Sequence, residues 1–327
     1  MTSVSIDQTI LPHGRDLYFA GAVCDLRTNS FELSSLLSHL STPTNHLVGN
    51  RFSMRVVVNE SSSLKPMGEP HFRGLHHVVT ASFGGDNIFV FDILRRTLSA
   101  SISTVAAEDF RFWKEKLIPI SLGILGAAIG VVPMHCACLE SDGDGLLIAG
   151  LSGAGKSTLS IALSQEGFNY VSDDWTYLSR RHGSLVAHGT SAPVKLLPDA
   201  AGHFPNLTRY NLQTSMNGEL AYEIDITETF GARIERTCEP RWLMFLERKQ
   251  QPGAKLTPMA SGKARSYLDS SVERLPVQLS EASAVRNLTI EDVSRLPCWL
   301  LQYGGTPQFA AQHLREFVAS RKQEAFA

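Results

Sequence analysis

Apolar residues along the chain follow two periods, and the elements they predict change in character near the middle. Helical spacing marks FELSSLLSHL (31–40), AAEDFRFWKEKL (106–117) and TPQFAAQHLREFVASR (306–321). Strand-like runs occur at RFSMRVVVNE (51–60), VVTASF (78–83) and IFVFDILRRTLSASIS (88–103). The last two flank Gly84-Gly85-Asp86-Asn87, which predicts a hairpin. Glu60 to Pro70 reads as a polar loop. Further on, MHCACLE (134–140), LLIAG (146–150), NYVSDD (169–174), WTYLSR, SLVAHG, APVKLL, AYEIDI (221–226) and RWLMFLER (241–248) predict strands. One helix, KSTLSIALSQ (156–165), lies among them, closed by Gly167. Strand, loop, helix and strand in succession predict an α/β architecture. The chain divides into an N-terminal α+β module over 1–115 and a second domain over 116–327. No internal repeat is visible.

Leu117 to Met134 carries no charge for 18 residues, the lower edge of a membrane span. Pro119 and Pro133 bracket it, and Gly123, Gly126 and Gly130 suit close packing. The reading is a buried helix with no stable membrane insertion. Lys and Arg number 30 against 32 acidic residues, a net charge of −2, so no general field favours nucleic acid or an anionic membrane. The five cysteines (Cys24, Cys136, Cys138, Cys238, Cys298) are odd in number and scattered, and the N-terminus has no secretory run. Reduced thiols in a cytoplasm are the simplest account. Cys136 and Cys138 form C-x-C without a second ligand pair, which period two in a strand explains as well as a metal would.

Chemistry concentrates at Gly150-Leu151-Ser152-Gly153-Ala154-Gly155-Lys156-Ser157, which fits G-x-x-x-x-G-K-[ST] between an apolar strand and a helix. Glycines let backbone N–H groups curl around a phosphate, and the helix N-terminus favours the anion. Gly150, Ser152, Gly153, Ala154, Gly155, Lys156, Ser157 and Thr158 are therefore the expected nucleotide-binding residues. Lys156 would meet the β/γ-phosphates and Ser157 would ligate Mg²⁺. Asp173 and Asp174 end the strand after the helix, where a parallel sheet would set them beside the phosphates. One carboxylate suits the metal and the other suits accepting a proton, although a capped surface turn fits the same spacing. His135 opens the strand before the P-loop strand, where a core histidine is also common. The pair His76-His77 has no partner at informative spacing. Ala192 to Gly218 reads as a long Pro- and Asn-containing segment, either a lid or acceptor groove or a plain surface loop, with Lys195 or Arg209 as candidates to meet the transferring phosphate.

MHCACLESDGDGLLIAGLSGAGKSTLS followed by GFNYVSDDW resembles the catalytic domain of the HPr kinase/phosphorylase family. It is also similar to ATP-dependent phosphoenolpyruvate carboxykinase around MHC, GLSGAGKSTLS and DDW. The specific match covers 134–178, with weaker likeness to short HPr-kinase-like proteins through APVKLLPDAAGHFP, AYEIDITETFG, EPRWLMFLER, LLQYGGTP and 106–133. The resemblance implies a P-loop kinase core of that type in a mixed sheet, with ATP and Mg²⁺ as cofactors. It implies Lys156 on phosphate, Ser157 and Asp174 toward the metal, Asp173 as base toward a serine hydroxyl and His135 near the γ-phosphate; the two aspartates could exchange roles. In the carboxykinases the matching histidine is a metal ligand.

Two departures narrow the expectation. The glycine-rich segment ending N-V-M-T-x-F-G has no counterpart between Tyr177 and Glu219, which argues against phosphorolysis and against HPr as substrate. The carboxykinases are much longer and bind their acid with segments absent here. The expected activity is transfer of the γ-phosphoryl group to a hydroxyl, foremost a serine of a protein or peptide. Short relatives include enzymes acting on peptide natural-product precursors. A small-molecule kinase acting on free serine, and a non-catalytic ATP-binding switch, are the alternatives. Relatives commonly assemble into homo-oligomers.

Overall fold

The computed structural model describes residues 11–44, 51–59, 65–66, 69–85, 87–190, 193–214, 218–271 and 280–326. The chain forms a mixed α/β structure and divides into two compact units, one built on Met1–Pro133 with two short later segments, the other on Met134–Leu178, Gly183–Glu273 and Thr289–Ala327.

In the first unit seven strands form one mixed sheet in the order His13–Phe19, Ala22–Thr28, Arg51–Asn59, Thr97–Ser103, Ile88–Asp92, Val78–Ser82, His71–Leu75. The expected hairpin is present, and Phe83 N–H donates to Asn87 O (3.0 Å) across its turn; Asp86 itself lies outside the described residues. Helix Phe31–Leu40 begins at Ser30, whose hydroxyl accepts from Leu33 N, and buries Leu33, Leu37 and Leu40. Phe83, Phe89, Phe112 and Trp113 pack edge to face, and the Trp113 indole donates to Ala106 O (2.9 Å).

The helix expected over 106–117 is broken. Helix Thr104–Glu108 stops at Asp109, whose carboxylate caps a new start by accepting from Phe112 N (2.9 Å). A π-helical turn, Trp113–Leu117, then leads into helix Ile118–Ile129, with Pro119 in its first turn. That helix is apolar and largely buried, and it falls in the first unit. Among the described residues no helix is long and apolar enough to cross a membrane. The chain doubles back after Gly130 (φ 84°), and a Cβ on Gly126 would stand 2.5 Å from Val131 O, so both glycines are required there.

The second unit is built on a mixed sheet with helices on both faces. Asn169–Ser172, Cys136–Ser141, Asp144–Gly150 and Thr237–Arg248 are consecutive neighbours. Cys298–Gly304 runs parallel to the end of Thr237–Arg248, with Gly253–Pro258 antiparallel beyond it. Asp144–Gly150 is parallel to Thr237–Arg248 and antiparallel to Cys136–Ser141. Strand alternation sorts the core. Ala137, Leu139, Leu146 and Ile148 face helices Lys156–Gln165 and Pro307–Phe326 through Leu159, Leu163, Ala310 and Leu314. Cys136, Cys138, Leu147 and Ala149 face the opposite way, toward Ala264, Leu268, Ile290 and Val293. The C-x-C pair is thus two buried core thiols on one face of a strand.

The segment expected as a lid is packed. Val194–Leu196, Leu220–Ile224 and Gln213–Thr214 form a small sheet, and two 3-10 turns bury Ala200, Phe204 and Leu207 in the cluster around helix Lys156–Gln165. Ala192 and residues 215–217 of that segment lie outside the described residues. The strand expected over 221–226 stops at Ile224, because Asp225 caps helix Ile226–Phe230, accepting from Thr227 N (2.8 Å) and Glu228 N (3.0 Å).

A candidate nucleotide and phosphoryl-transfer site

Strand Asp144–Gly150 runs into the loop 151–155, which turns directly into helix Lys156–Gln165. Two glycines make the turn. Gly153 and Gly155 hold φ of 75° and 93°, a region side-chain-bearing residues avoid. The loop is closed by Ala154 N–H donating to Leu151 O (3.1 Å), and Leu159 N–H to Gly155 O (2.8 Å) starts the helical ladder. Gly150 lies against the neighbouring strand, where a Cβ would stand 3.1 Å from Leu246 O. Ser152 is exposed, while Ala154, Ser157 and Thr158 are half-buried along the loop and first helical turn. Strand, glycine turn and helix N-terminus are the geometry an anion cradle requires.

Lys156 is buried, and its ammonium donates to Gly150 O (3.0 Å) and Leu151 O (3.4 Å), so the cation is held at the loop. Burial lowers its pKa, and the charges of Asp174 and Asp173 oppose that shift.

The two aspartates arrive by a route the expected parallel sheet did not contain. Strand Asn169–Ser172 does not neighbour strand Asp144–Gly150; Cys136–Ser141 lies between them, antiparallel to both. Two antiparallel steps restore the direction, so Asp173 and Asp174 still come out at the end where the P-loop turns. The turn after the strand is fixed by Ser172 Oγ and Thr176 Oγ1 (2.6 Å), the latter also donating to Cys136 O (2.8 Å).

Asp173 and Asp174 then find different surroundings. Asp173 is buried, accepts from the Tyr170 hydroxyl (2.7 Å) and hydrogen-bonds to Ser157. Burial, reinforced by the charge of Asp174, pushes its carboxyl up to about 6, although the Tyr170 and Ser157 hydroxyls favour the ionised form. Asp174 is exposed, with 65% of its side chain accessible, and its Oδ1 lies 3.0 Å from His135 Nε2. His135 precedes strand Cys136–Ser141, and its ring lies 5.5 Å from the half-exposed Trp175 ring.

Ser157, Asp173, Asp174, His135 and Lys156 are therefore linked through direct bonds and electrostatic contacts at one end of one sheet. Lys195 stands opposite Glu223 in the small sheet, and Arg209 ends the second 3-10 turn. Tyr170 was missed by sequence reasoning; its only signal was a hydroxyl three residues before the aspartates.

The donor set suits the expected ligands. Ser157 and the carboxylates are hard oxygen donors, as Mg²⁺ prefers, and the glycine turn suits a polyphosphate. Among the described residues no three His, Cys, Asp or Glu side chains form a closed metal cage. Mg²⁺ seldom needs one, since it is commonly held by one or two carboxylates together with substrate phosphates.

No protein-family model matches the chain, and no curated protein matches it. Among solved structures it is similar to the HPr(Ser) kinase/phosphatase from Coxiella burnetii, at 14% identity and a TM-score of 0.31, over 60% of this chain and 99% of that one.

Proposed function

We propose that the second unit is an ATP- and Mg²⁺-dependent kinase that transfers the γ-phosphoryl group to a hydroxyl, foremost a serine of a peptide or protein. The observation that carries this reading is the buried Asp173, bonded to the P-loop Ser157 and poised near neutrality, in one constellation with Lys156, Asp174 and His135. Gly150, Ser152, Gly153, Ala154, Gly155 and Thr158 supply the cradle, Lys156 the point charge, and Ser157 with Asp174 the metal-side oxygens. When bound, Mg²⁺ supplies neutralisation of charge on the phosphate oxygens. In the transfer the acceptor oxygen bonds to the γ-phosphorus, the bond to the β-phosphate oxygen breaks, and the acceptor proton passes to the Asp173 carboxylate. ADP and a phosphoester leave. A carboxyl with a pKa near 6 suits that role at neutral pH, where proton removal by a positioned base is worth ~10²–10⁴-fold. The exposure of Asp174 and Trp175 supports a chain acceptor over a small molecule in a closed pocket.

The Ser157–Asp173 bond favours a second assignment within the same reaction. A carboxylate bonded to the P-loop hydroxyl is placed as a metal-side group, which would leave the exposed Asp174–His135 pair as the proton acceptor. Asp173→Asn and Asp174→Asn separate the two. Loss of the metal-side carboxylate raises the Mg²⁺ concentration needed for half-maximal turnover. Loss of the base lowers kcat at every Mg²⁺ concentration. If neither variant changes turnover, the proposed site is wrong.

A further inference from the structure

The acidic groups occupy one flank of the P-loop strand, on the side of Cys136–Ser141; an arginine occupies the other. Arg248 ends strand Thr237–Arg248, two residues past Leu246, the register partner of Gly150. It sits against the P-loop turn itself. A Cβ built on Gly155 would stand 2.8 Å from the Tyr303 hydroxyl and 3.6 Å from Arg248 Nη1. The guanidinium donates to the Tyr303 hydroxyl (3.1 Å) and to Gly305 O (3.5 Å), and its carbon lies 5.2 Å from the Tyr303 ring centre. Tyr303 is fully buried while Arg248 is exposed, so a rigid base carries a solvent-facing cation. No carboxylate among the described residues pairs with Arg248, and the adjacent Glu247 is engaged by Lys249 and Gln302.

We infer that Arg248, anchored on Tyr303, is the subsite for the nucleoside end of the nucleotide, stacking its guanidinium on the base. This rests on the proposed reading of the P-loop as a nucleotide site. The transferring end of the nucleotide belongs beside Asp173, Asp174 and His135. Its other end therefore extends toward the opposite flank, at the carboxyl ends of the parallel strands Thr237–Arg248 and Cys298–Gly304, where ligands of such sheets collect. Two donor directions of the guanidinium are committed to Tyr303 and Gly305, and the residue is exposed. A planar cation held in this way offers a heteroaromatic ring a stacking surface that an ammonium does not. The loop glycine follows from the same arrangement, since any side chain at 155 would displace the tyrosine that holds the arginine.

Equilibrium dialysis of the full chain with ATP and with inorganic tripolyphosphate, both with Mg²⁺, tests this. Arg248→Ala is expected to weaken ATP binding about tenfold while changing tripolyphosphate binding less than about twofold. Arg248→Lys, which keeps the charge without the plane, is expected to leave ATP binding as weak as Arg248→Ala does. Tyr303→Phe, which removes only the anchoring hydroxyl, is expected to fall between. Lys156→Ala is expected to weaken both ligands. Equal weakening of both ligands by Arg248→Ala, restored by lysine, would make Arg248 a phosphate clamp and overturn the inference. So would ATP binding unchanged in Arg248→Ala. Wild-type chain that binds neither ligand would overturn the nucleotide reading itself, and this subsite with it.

Discussion

Replacing Asp173 by asparagine is expected to stabilise the folded chain at pH 8, although it removes a residue proposed to be essential. The carboxyl, ordinarily near 3.8, is pushed to about 6, chiefly by burial. At about 1.4 kcal/mol per pKa unit, ionising it in the folded chain costs roughly 3 kcal/mol more than in the unfolded chain. The group binds its proton more tightly when folded. Its contribution to stability is therefore greatest below about pH 4, falls as pH rises toward 6, and is least above that. Asparagine keeps the shape without the charge. The Tyr170 and Ser157 hydroxyls can each rotate to donate or accept, so their bonds need not be lost. The expected gain at pH 8 is about 1–3 kcal/mol, shrinking to within about 0.5 kcal/mol at pH 4. Urea unfolding followed by tryptophan fluorescence reports it, because Trp175, Trp242 and Trp299 lie in the second unit. A variant less stable than wild type at pH 8, or a difference that does not change with pH, would refute the argument that burial sets this carboxyl.

Further expectations follow from the same residues. If Asp173 accepts the proton, log kcat/KM falls with unit slope below about pH 6, and a flat profile down to pH 5 would assign the base elsewhere. Gly155→Ala meets both a φ of 93° and the Tyr303 hydroxyl, so it is expected to lose at least about 1 kcal/mol of stability together with ATP binding, checked by urea unfolding and dialysis. All five cysteines are buried, and burial pushes the Cys136 thiol up to about 12, so a disulfide reagent should titrate no thiol in the folded chain and five after denaturation. A fast-reacting thiol in the folded chain would contradict that burial.

Local features were the most legible in the sequence. The glycine turn at 150–155, its strand and its helix were readable because a glycine pattern and a 3.6-residue period are written within a few residues. The hairpin around Gly84 and Gly85 and the buried helix after Pro119 were readable for the same reason. What depended on distant partners was not. Nothing in NYVSDD says that an antiparallel strand separates it from strand Asp144–Gly150, since a strand's neighbours are set by pairing with distant residues. The Ala192–Gly218 segment looked loose because its prolines and asparagines hide how Ala200, Phe204 and Leu207 pack under it. Asp109 and Asp225 could have been read as caps, and they end elements that apolar spacing alone carries too far. Within the site, Tyr170, Arg248 and Tyr303 carry no motif, and only the sheet brings them to the loop.

The central claim is phosphoryl transfer. Labelled ATP with Mg²⁺, wild-type chain beside Asp173→Asn, and a pool of serine-containing peptides beside free serine test it most directly. The account predicts label on peptide hydroxyls with wild type and its loss in the variant. ATP bound tightly but transferred to no acceptor, with Asp173→Asn indistinguishable from wild type, would contradict it and leave a nucleotide-binding switch as the better description.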